Sequence, residues 1–265
     1  MMRALYTAVT GMGAQERNVD AVANNLANVN TTGFKKSRVN FQDLLYQTLR
    51  MPGAETAEGV LLPEGIQIGH GVKTSSISRS FLQGELFQTG QPFDMAIEGD
   101  GFFKVTLPDG TIAYTRDGSF KRDVNGNMVT ADGHLLDPAI TIPEDGITDT
   151  ITITNDGVIS VQTPGTPTPQ NVGTLELARF SNPAGLDGRL GRNLYLETPA
   201  SGAPVEAQPE NDGMGSVLQR FLENSNVSIV EEMINLIIAQ RAFEANSNVI
   251  QTTDDMLQLA NAIRR

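Results

Sequence analysis

The chain contains 265 residues, of which 39% are hydrophobic and 26 are glycine, a composition typical of globular proteins. This length gives room for one large or two modest domains, and the composition excludes collagen-like, mucin-like and wholly disordered proteins. The chain has no cysteine and only 2 histidines, which excludes a disulfide framework, a thiol nucleophile and a structural zinc site.

The net charge of −12 is unevenly distributed along the chain. Residues 1–38, 39–225 and 226–265 carry net charges of +3, −13 and −2, respectively. This balance opposes phosphate backbones, so nucleic-acid binding through a general basic surface is not expected. The sequence has no apolar run of about 18 residues and no cleavable secretory signal. Neither a membrane-spanning helix nor a removed leader is therefore expected.

The first predicted element is an amphipathic helix from Ala4 to Val29 with a coiled-coil-like seam. Gly11 and Gly13 each lower helix stability by about 1 kcal/mol relative to alanine, so this helix is marginal without a partner. Gly33 can supply the left-handed residue that reverses the chain. The apolar residues of the seam recur at a spacing of seven: Leu5, Met12, Val19 and Leu26.

The Tyr46–Val72 segment follows and is rich in proline and glycine, which predicts extended arms joined by a loop. Beyond it the apolar period changes to two and turn dipeptides become frequent, which predicts an all-β region. Loops are predicted at Thr163–Gln170 and at Thr198–Gly215. The predicted strands are Phe102–Leu107, Thr111–Thr115, Ile151–Thr154, Val158–Val161 and Leu175–Phe180.

The last predicted element is a long helix that begins after Ser228 and ends near Ile263. Ser228 and Glu231 form a capping-box pattern at its start, and at ~1.5 Å per residue the helix is on the order of 50 Å long. A second seam of seven-residue spacing runs along it: Ile229, Leu236, Phe243, Ile250 and Leu257. The fold class predicted from all elements is α+β, with four parts at residues 1–35, 36–72, 73–225 and 226–265.

No motif in the sequence predicts a catalytic, cofactor or metal site. The Asp123–Asn127 segment resembles a calcium loop, but Met128 and His134 stand where that loop requires glycine and glutamate, which favours a turn. The Gly99–Gly101 segment lacks the third glycine of a dinucleotide fingerprint. His70 and His134 leave open a soluble hydrolase, but no nucleophile motif accompanies them. Both are interpreted as isolated surface residues.

The two terminal seams admit two interpretations. The helices pack against each other or against the β region within one chain, or they pack against neighbouring chains in an oligomer. Spacing alone leaves both open.

Residues Ala23–Lys35 resemble the N-terminal signature of the bacterial flagellar rod and hook axial proteins. The resemblance extends over the whole chain and is strongest to the distal-rod members of that family. Gln47–Ile68 is similar to an insertion that distinguishes the distal rod from the hook. The other segments that carry the resemblance are Met1–Tyr6, Phe41–Gln47, Ala113–Phe120 and Glu244–Asp254.

This resemblance implies a non-enzymatic subunit that the flagellar type III apparatus exports unfolded, without signal cleavage. Its copies would form a helical homopolymer, a hollow rod that crosses the periplasm, transmits torque from motor to hook and carries later subunits. The partners implied are proximal rod proteins, the hook protein or junction, and the P and L ring proteins. No cofactor is implied. Another axial protein, a proximal rod or hook subunit, is the nearest alternative.

The family architecture implies that the terminal helices form the inner tube, that an extended domain surrounds it and that a β domain faces outward. The residues expected at the subunit interface are those of the two seams together with Asn24, Asn25 and Asn28. The residues expected to distinguish the rod-specific insertion are Pro52, Leu61, Leu62, Pro63 and Ile66.

Overall fold

The computed structural model describes residues 2–52, 55–57, 60–61, 63–143, 150–163 and 169–263. Long helices stand at both ends and strands lie between them, which confirms the α+β class. Helix α1 spans Met2–Ala27 and helix α2 spans Ile229–Ile263, close to the two predicted helices. Within the described ranges, neither helix is long and apolar enough to cross a membrane.

The chain divides into two compact units, each assembled from separate segments. Unit 1 consists of Met1–Ala27, Ser37–Arg79 and Ser228–Arg265, and unit 2 consists of Asn28–Lys36 and Ser80–Val227. The four-part division predicted above stays a prediction beside this partition.

Unit 1 combines the two helices with antiparallel strand pairs. Its strands are β1 (Ser37–Asp43), β2 (Gln47–Arg50), β3 (Glu55–Ala57), β4 (Val60–Leu61), β5 (Ile66–Ile68) and β6 (Val72–Arg79). Strand β1 pairs with β6 along its whole length, β2 pairs with β5, and β3 pairs with β4. The side chain of Arg17 on α1 donates to Thr74 Oγ1 on β6 at 3.0 Å.

Unit 2 is built from short strands, as the alternating pattern predicts. Its strands are β7 (Leu86–Gln88), β8 (Met95–Glu98), β9 (Phe102–Thr106), β10 (Ile112–Thr115), β11 (Lys121–Arg122), β12 (Met128–Val129), β13 (Leu135–Asp137), β14 (Thr152–Ile153), β15 (Val158–Val161), β16 (Gln170–Thr174), β17 (Leu177–Arg179), β18 (Leu194–Tyr195), β19 (Val205–Ala207), β20 (Ser216–Gln219) and β21 (Phe221–Glu223).

The main sheet of unit 2 has the order β11-β12-β13-β9-β10-β18. Strand β17 also pairs with β9, and β19 pairs with β17. Strands β14, β15 and β16 form a second sheet, while β8 pairs with β20 and β7 with β21. The predicted loop at Thr198–Gly215 is therefore wrong in part, because β19 lies inside it. Backbone pairing with β17 overrides the local turn composition there.

Adjacent residues of β9 serve opposite faces of the main sheet, as strand alternation requires. Phe103 packs edge-to-face against Phe120 at 5.3 Å within the larger core. Phe102 instead packs against Phe180 at 5.8 Å and Phe81 at 5.4 Å in a smaller aromatic cluster. The unit therefore has apolar packing on both faces of its central strand.

Lys104 is a buried cation on the same strand. Its Nζ lies 2.9 Å from carboxylates of Glu176 and Glu206 and 3.3 Å from that of Asp137. Although burial alone lowers it, the hydrogen bonds to these three carboxylates raise the pKa of Lys104 above its ordinary value of 10.5. The charge is thus compensated, which is the condition for burying a lysine.

Replacing Lys104 by methionine is expected to lower the free energy of unfolding by about 2–3 kcal/mol near neutral pH, because three carboxylates lose their shared cation. A group whose folded pKa is raised contributes stability that is complete below its unfolded pKa. The wild-type advantage should therefore persist below about pH 10.5 and disappear as pH rises through the folded pKa. Urea denaturation of both proteins at several pH values measures this, and an equal midpoint at pH 7 would contradict it.

Candidate assembly surface

Helices α1 and α2 pack side by side within unit 1. Gly11 lies against Asn246, and Asn25 contacts Glu232. Gly11 lies in the first half of α1 and Asn246 in the middle of α2, whereas Asn25 lies at the end of α1 and Glu232 at the start of α2, so the helices are antiparallel. A Cβ atom added to Gly11 would lie 2.9 Å from Asn246 Nδ2, so glycine permits a close approach. Of the two interpretations of the terminal seams, packing within one chain does occur.

The buried positions of this helix pair are mostly small or polar. Those of α1 are Ala8, Ala14, Val22 and Asn25, and those of α2 are Glu232, Ala239 and Thr253. Hydrophobic stabilisation scales with the apolar area removed from water. An interface of alanine, asparagine and threonine removes little, so the pair gains only modest stability from its own packing.

Asn25 joins three elements of unit 1. Its Nδ2 donates to Glu232 Oε2 at 3.0 Å and to the Ser37 carbonyl at 2.8 Å, and its Oδ1 accepts from Ser37 N at 2.9 Å. The side chain is 1% exposed. This predicted interface residue therefore holds the end of α1, the start of β1 and the start of α2 together within one chain. Asn24 is exposed and Asn28 is half-buried.

A set of exposed apolar residues in the first half of α2 lies on a different face from the buried ones. Five residues of its first half are each more than half exposed: Val230, Met233, Ile234, Ile237 and Ile238. Their spacing of i, i+3, i+4, i+7 and i+8 places them on one helix face. We call these five residues the α2 apolar face. A contiguous apolar surface of this kind is typical of a protein–protein interface.

A groove of about 910 Å³ runs along the helix pair. It brings together predicted seam residues from both ends of the chain, namely Met12, Val19, Phe243 and Ile250. Val9, Glu16, Asp20 and Glu244 also line it. The groove is therefore lined by both apolar and acidic side chains.

The other seam residues lie near the boundary between buried and exposed surface. Leu5, Leu26, Leu236 and Leu257 are half-buried, and Ile229 is 48% exposed; Phe243, in the groove, is 39% exposed. The seven-residue criterion missed the α2 apolar face. The i, i+3, i+4 spacing of its members was the signal that could have found it.

A buried ion pair holds the C-terminal end of the Ala23–Lys35 segment inside unit 2. Lys35 Nζ lies 2.6 Å from Glu223 Oε1, and both side chains are 0% exposed. The same nitrogen donates to the Leu82 carbonyl at 2.7 Å, and Gly84 N donates to Glu223 Oε1 at 2.8 Å. Burial lowers the pKa of Lys35, and the charge of Glu223 opposes that change.

Asn226 ties together the same segments of unit 2. Its Oδ1 accepts from Lys36 N at 2.8 Å, and its Nδ2 donates to the carbonyls of Ser80 and Leu82 at 2.9 and 3.0 Å. Ser80 N donates to the Lys36 carbonyl at 2.8 Å. Three segments distant in sequence are thereby fixed by hydrogen bonds to backbone groups.

Three family models match parts of the chain. The model described as "Flagella basal body rod protein" matches residues 5–35, and "Flagellar basal body rod FlgEFG protein C-terminal" matches residues 218–263. "Flagellar hook protein FlgE/F/G D1 domain" matches residues 96–161. The flagellar basal-body rod protein FlgG of Borreliella burgdorferi is 52% identical over 265 residues, which covers 100% of both chains. The chain belongs to the flagellar basal-body rod protein family.

Further FlgG relatives extend this match. That of Caulobacter vibrioides is 48% identical and covers 99% of this chain and 100% of its own, and that of Bacillus subtilis is 40% identical over 97% of each. This rod protein is thus a structural component of the flagellar basal body. The family models that match residues 5–35 and 218–263 cover most of α1 and α2, which supply the helix pair and its groove.

The insertion expected to be specific to the rod lies in the strand pairs of unit 1. Pro52 and Pro63 are exposed, and Ile66 on β5 is 46% exposed. The backbone of Leu61 belongs to β4. Leu62 lies outside the described residues. The antiparallel pairing of β2 with β5 gives this segment two extended runs.

The structure shows where the residues considered above for catalysis or metal binding lie in the rod protein. Asp123 N donates to the Asn127 carbonyl at 2.9 Å, which closes a turn. His70 is half-buried. His134 lies in the connection between β12 and β13 and is only 8% exposed, so its interpretation as a surface residue is wrong. Within the described residues, no group of three or more histidine, aspartate or glutamate side chains could hold a metal ion.

Proposed function

We propose that the chain is the subunit of the flagellar distal rod and that it polymerises helically into a hollow, rigid drive shaft and export channel. The α2 apolar face is the observation that carries this proposal. A helix that leaves five large apolar residues exposed, while the residues it buries include alanine and threonine, is suited to contacts with neighbouring copies. The similarity to a rod protein, 52% identity over the full length of both chains, supports assembly into the rod and not into another axial structure.

The proposed subunit interface comprises the α2 apolar face and the groove of the helix pair. The predicted residues retained in it are Leu5, Met12, Val19, Leu26, Asn24, Asn28, Ile229, Leu236, Phe243, Ile250 and Leu257. Asn25 would act indirectly, by fixing the helix pair on which these residues stand. Apolar contacts repeated around a helical array would supply the stability that the isolated pair lacks.

The proposed surroundings of the rod follow from the family resemblance. The subunit would leave the cell through the flagellar type III apparatus without signal cleavage and would cross the periplasm. It would join proximal rod proteins below and the hook protein or junction above, and turn inside the P and L rings. A hook protein, FlgE of Helicobacter mustelae, is 42% identical over 137 residues, 51% of this chain and 30% of its own. A proximal rod or hook subunit is the alternative.

Genetic replacement tests the proposed function. A flagellated bacterium whose own distal rod gene is deleted should regain straight rods when it expresses this chain, as seen by electron cryomicroscopy of isolated basal bodies. Expression of the Ile237→Asp variant at equal level is the control. Wild-type protein that accumulates without entering any basal body would contradict the proposal.

Deleting residues 47–68 is expected to leave assembly possible and to give a more compliant cylinder, because the paired extended runs of the insertion would no longer wedge neighbouring subunits. The bending stiffness of isolated rods, obtained from their curvature distribution in micrographs, measures this effect. A matched control replaces Ile66 by threonine without shortening the chain. Rods of unchanged stiffness after the deletion would contradict the proposal that these residues hold neighbouring subunits in place.

A further inference from the structure

A groove on unit 2 concentrates positive charge in a chain whose net charge is −12. It has two adjoining lobes of about 360 and 440 Å³, which share Phe81, Asp100, Arg116 and Pro183. Phe102, Arg179 and Phe180 also line the first lobe. We call these two lobes the Arg116 groove. Its lining lies entirely within unit 2.

The charge of Arg116 is only partly compensated. The residue is 3% exposed, and its nearest carboxylate, Glu223, lies 3.5 Å away and is already bonded to Lys35 at 2.6 Å. Its Nη2 donates to the Gly99 carbonyl at 2.9 Å, and its guanidinium lies 5.3 Å from the ring centre of Phe102. Among the described residues, its Nε has no hydrogen-bond partner. A buried charge is costly unless it is matched, so an additional anion in the groove would stabilise this arginine.

Arg179 is the second cation of the groove. Its backbone belongs to β17, and within the described part of the chain its guanidinium makes no ion pair or hydrogen bond. The acidic member of the lining is Asp100. Two guanidinium groups and one carboxylate leave the groove cationic, and the rings of Phe81, Phe102 and Phe180 make part of its wall apolar. Such a groove suits a group with a negative end and an apolar stem.

We propose that the Arg116 groove receives a glutamate or aspartate side chain from a second copy of the chain. This inference rests on the self-assembly proposed above and adds to it a polar contact between units 2 of neighbouring copies. Charge complementarity supports this occupant, because a chain with 31 acidic and 19 basic residues presents mostly carboxylates to its neighbours. The planar guanidinium of Arg179 can grip a carboxylate with two parallel hydrogen bonds.

Sedimentation of the purified full-length chain over a range of concentrations tests this inference. Replacing Arg179 by glutamine is expected to weaken association by about tenfold or more, the usual effect of losing one charge-assisted hydrogen bond. Arg189→Gln on the same unit, whose side chain is 74% exposed, should leave association unchanged. The association strength of Arg179→Lys should fall between those of wild type and Arg179→Gln, because lysine keeps the positive charge but cannot donate two parallel hydrogen bonds. Thermal unfolding of each variant verifies that unit 2 stays folded.

Two further arms identify the occupant and separate this inference from the proposed function. Sodium benzoate should compete with association of the wild type and have no effect on Arg179→Gln. Equal association by wild type and Arg179→Gln overturns the groove contact, even if benzoate binds. If Ile237→Asp abolishes that shared association, helical assembly stands without the groove. A wild-type chain that stays monomeric at every concentration overturns both.

Discussion

Replacing Glu223 by glutamine is expected to lower the free energy of unfolding of unit 2 by about 3–5 kcal/mol. The change removes the carboxylate that lies 2.6 Å from Lys35 Nζ and 3.5 Å from Arg116 Nη1. Both cations would then be buried without their counter-charge, and burial already lowers the pKa of each. Breaking one member of a buried ion network is far costlier than losing a surface pair.

Hydrogen exchange of the backbone amides of β8 to β10 measures this loss, because these strands hold the core of unit 2. Glu85→Gln is the matched control: it makes the same chemical change at an exposed position of the same unit. The double variant Lys35→Met with Glu223→Gln should recover part of the loss, since it removes one of the two stranded charges. Equal protection in Glu223→Gln and Glu85→Gln would contradict the structural importance of the pair.

Replacing Ile237 by aspartate is expected to abolish rod assembly and to change the stability of the isolated chain by less than about 0.5 kcal/mol. Ile237 lies on the α2 apolar face and is 56% exposed, so the folded monomer tolerates a charge there. In an assembled rod the same position would be desolvated, and an unpaired carboxylate would cost several kcal/mol per contact. Repetition of that cost along the polymer makes assembly fail.

Ala239, two residues further along α2, supplies the opposite control. It is 0% exposed within the chain, so Ala239→Asp should disrupt unit 1 itself. Calorimetry of both purified variants and counts of rods in complemented cells should therefore separate assembly from folding. If Ile237→Asp lowers the melting temperature as much as Ala239→Asp does, the apolar face belongs to the fold and not to an interface.

The sequence predicts an element of this structure where the pattern that determines the element lies within its own residues. The bounds of α2 were readable because more than thirty residues keep a helical pattern without glycine or proline. Strands β9, β10 and β15 were readable from alternation and turn dipeptides. Strand β19 was not, because a neighbouring strand and not its own composition makes it extended.

The candidate sites also divide into residues that a local sequence pattern predicts and residues whose role depends on distant partners. Met12, Val19, Phe243 and Ile250 were identified from spacing, and they do converge in one groove. The Lys35–Glu223 pair could not be identified, because the two residues are 188 positions apart and lysine and glutamate are normally exposed. Asn25 stood in the recognised segment, but only the structure gives its role, because its partners come from β1 and α2.

Unit 1 is assembled from three separate segments of the chain, which imposes an order on folding whenever the N-terminus emerges first. Unit 2 closes at Val227, so it has all its residues before α2 appears. Helix α1 emerges first but must wait for residues 228–265 before its partner exists. The α2 apolar face is therefore among the last surfaces to form. An apolar surface that forms late, after the rest of the chain has emerged, spends the least time available for nonspecific aggregation.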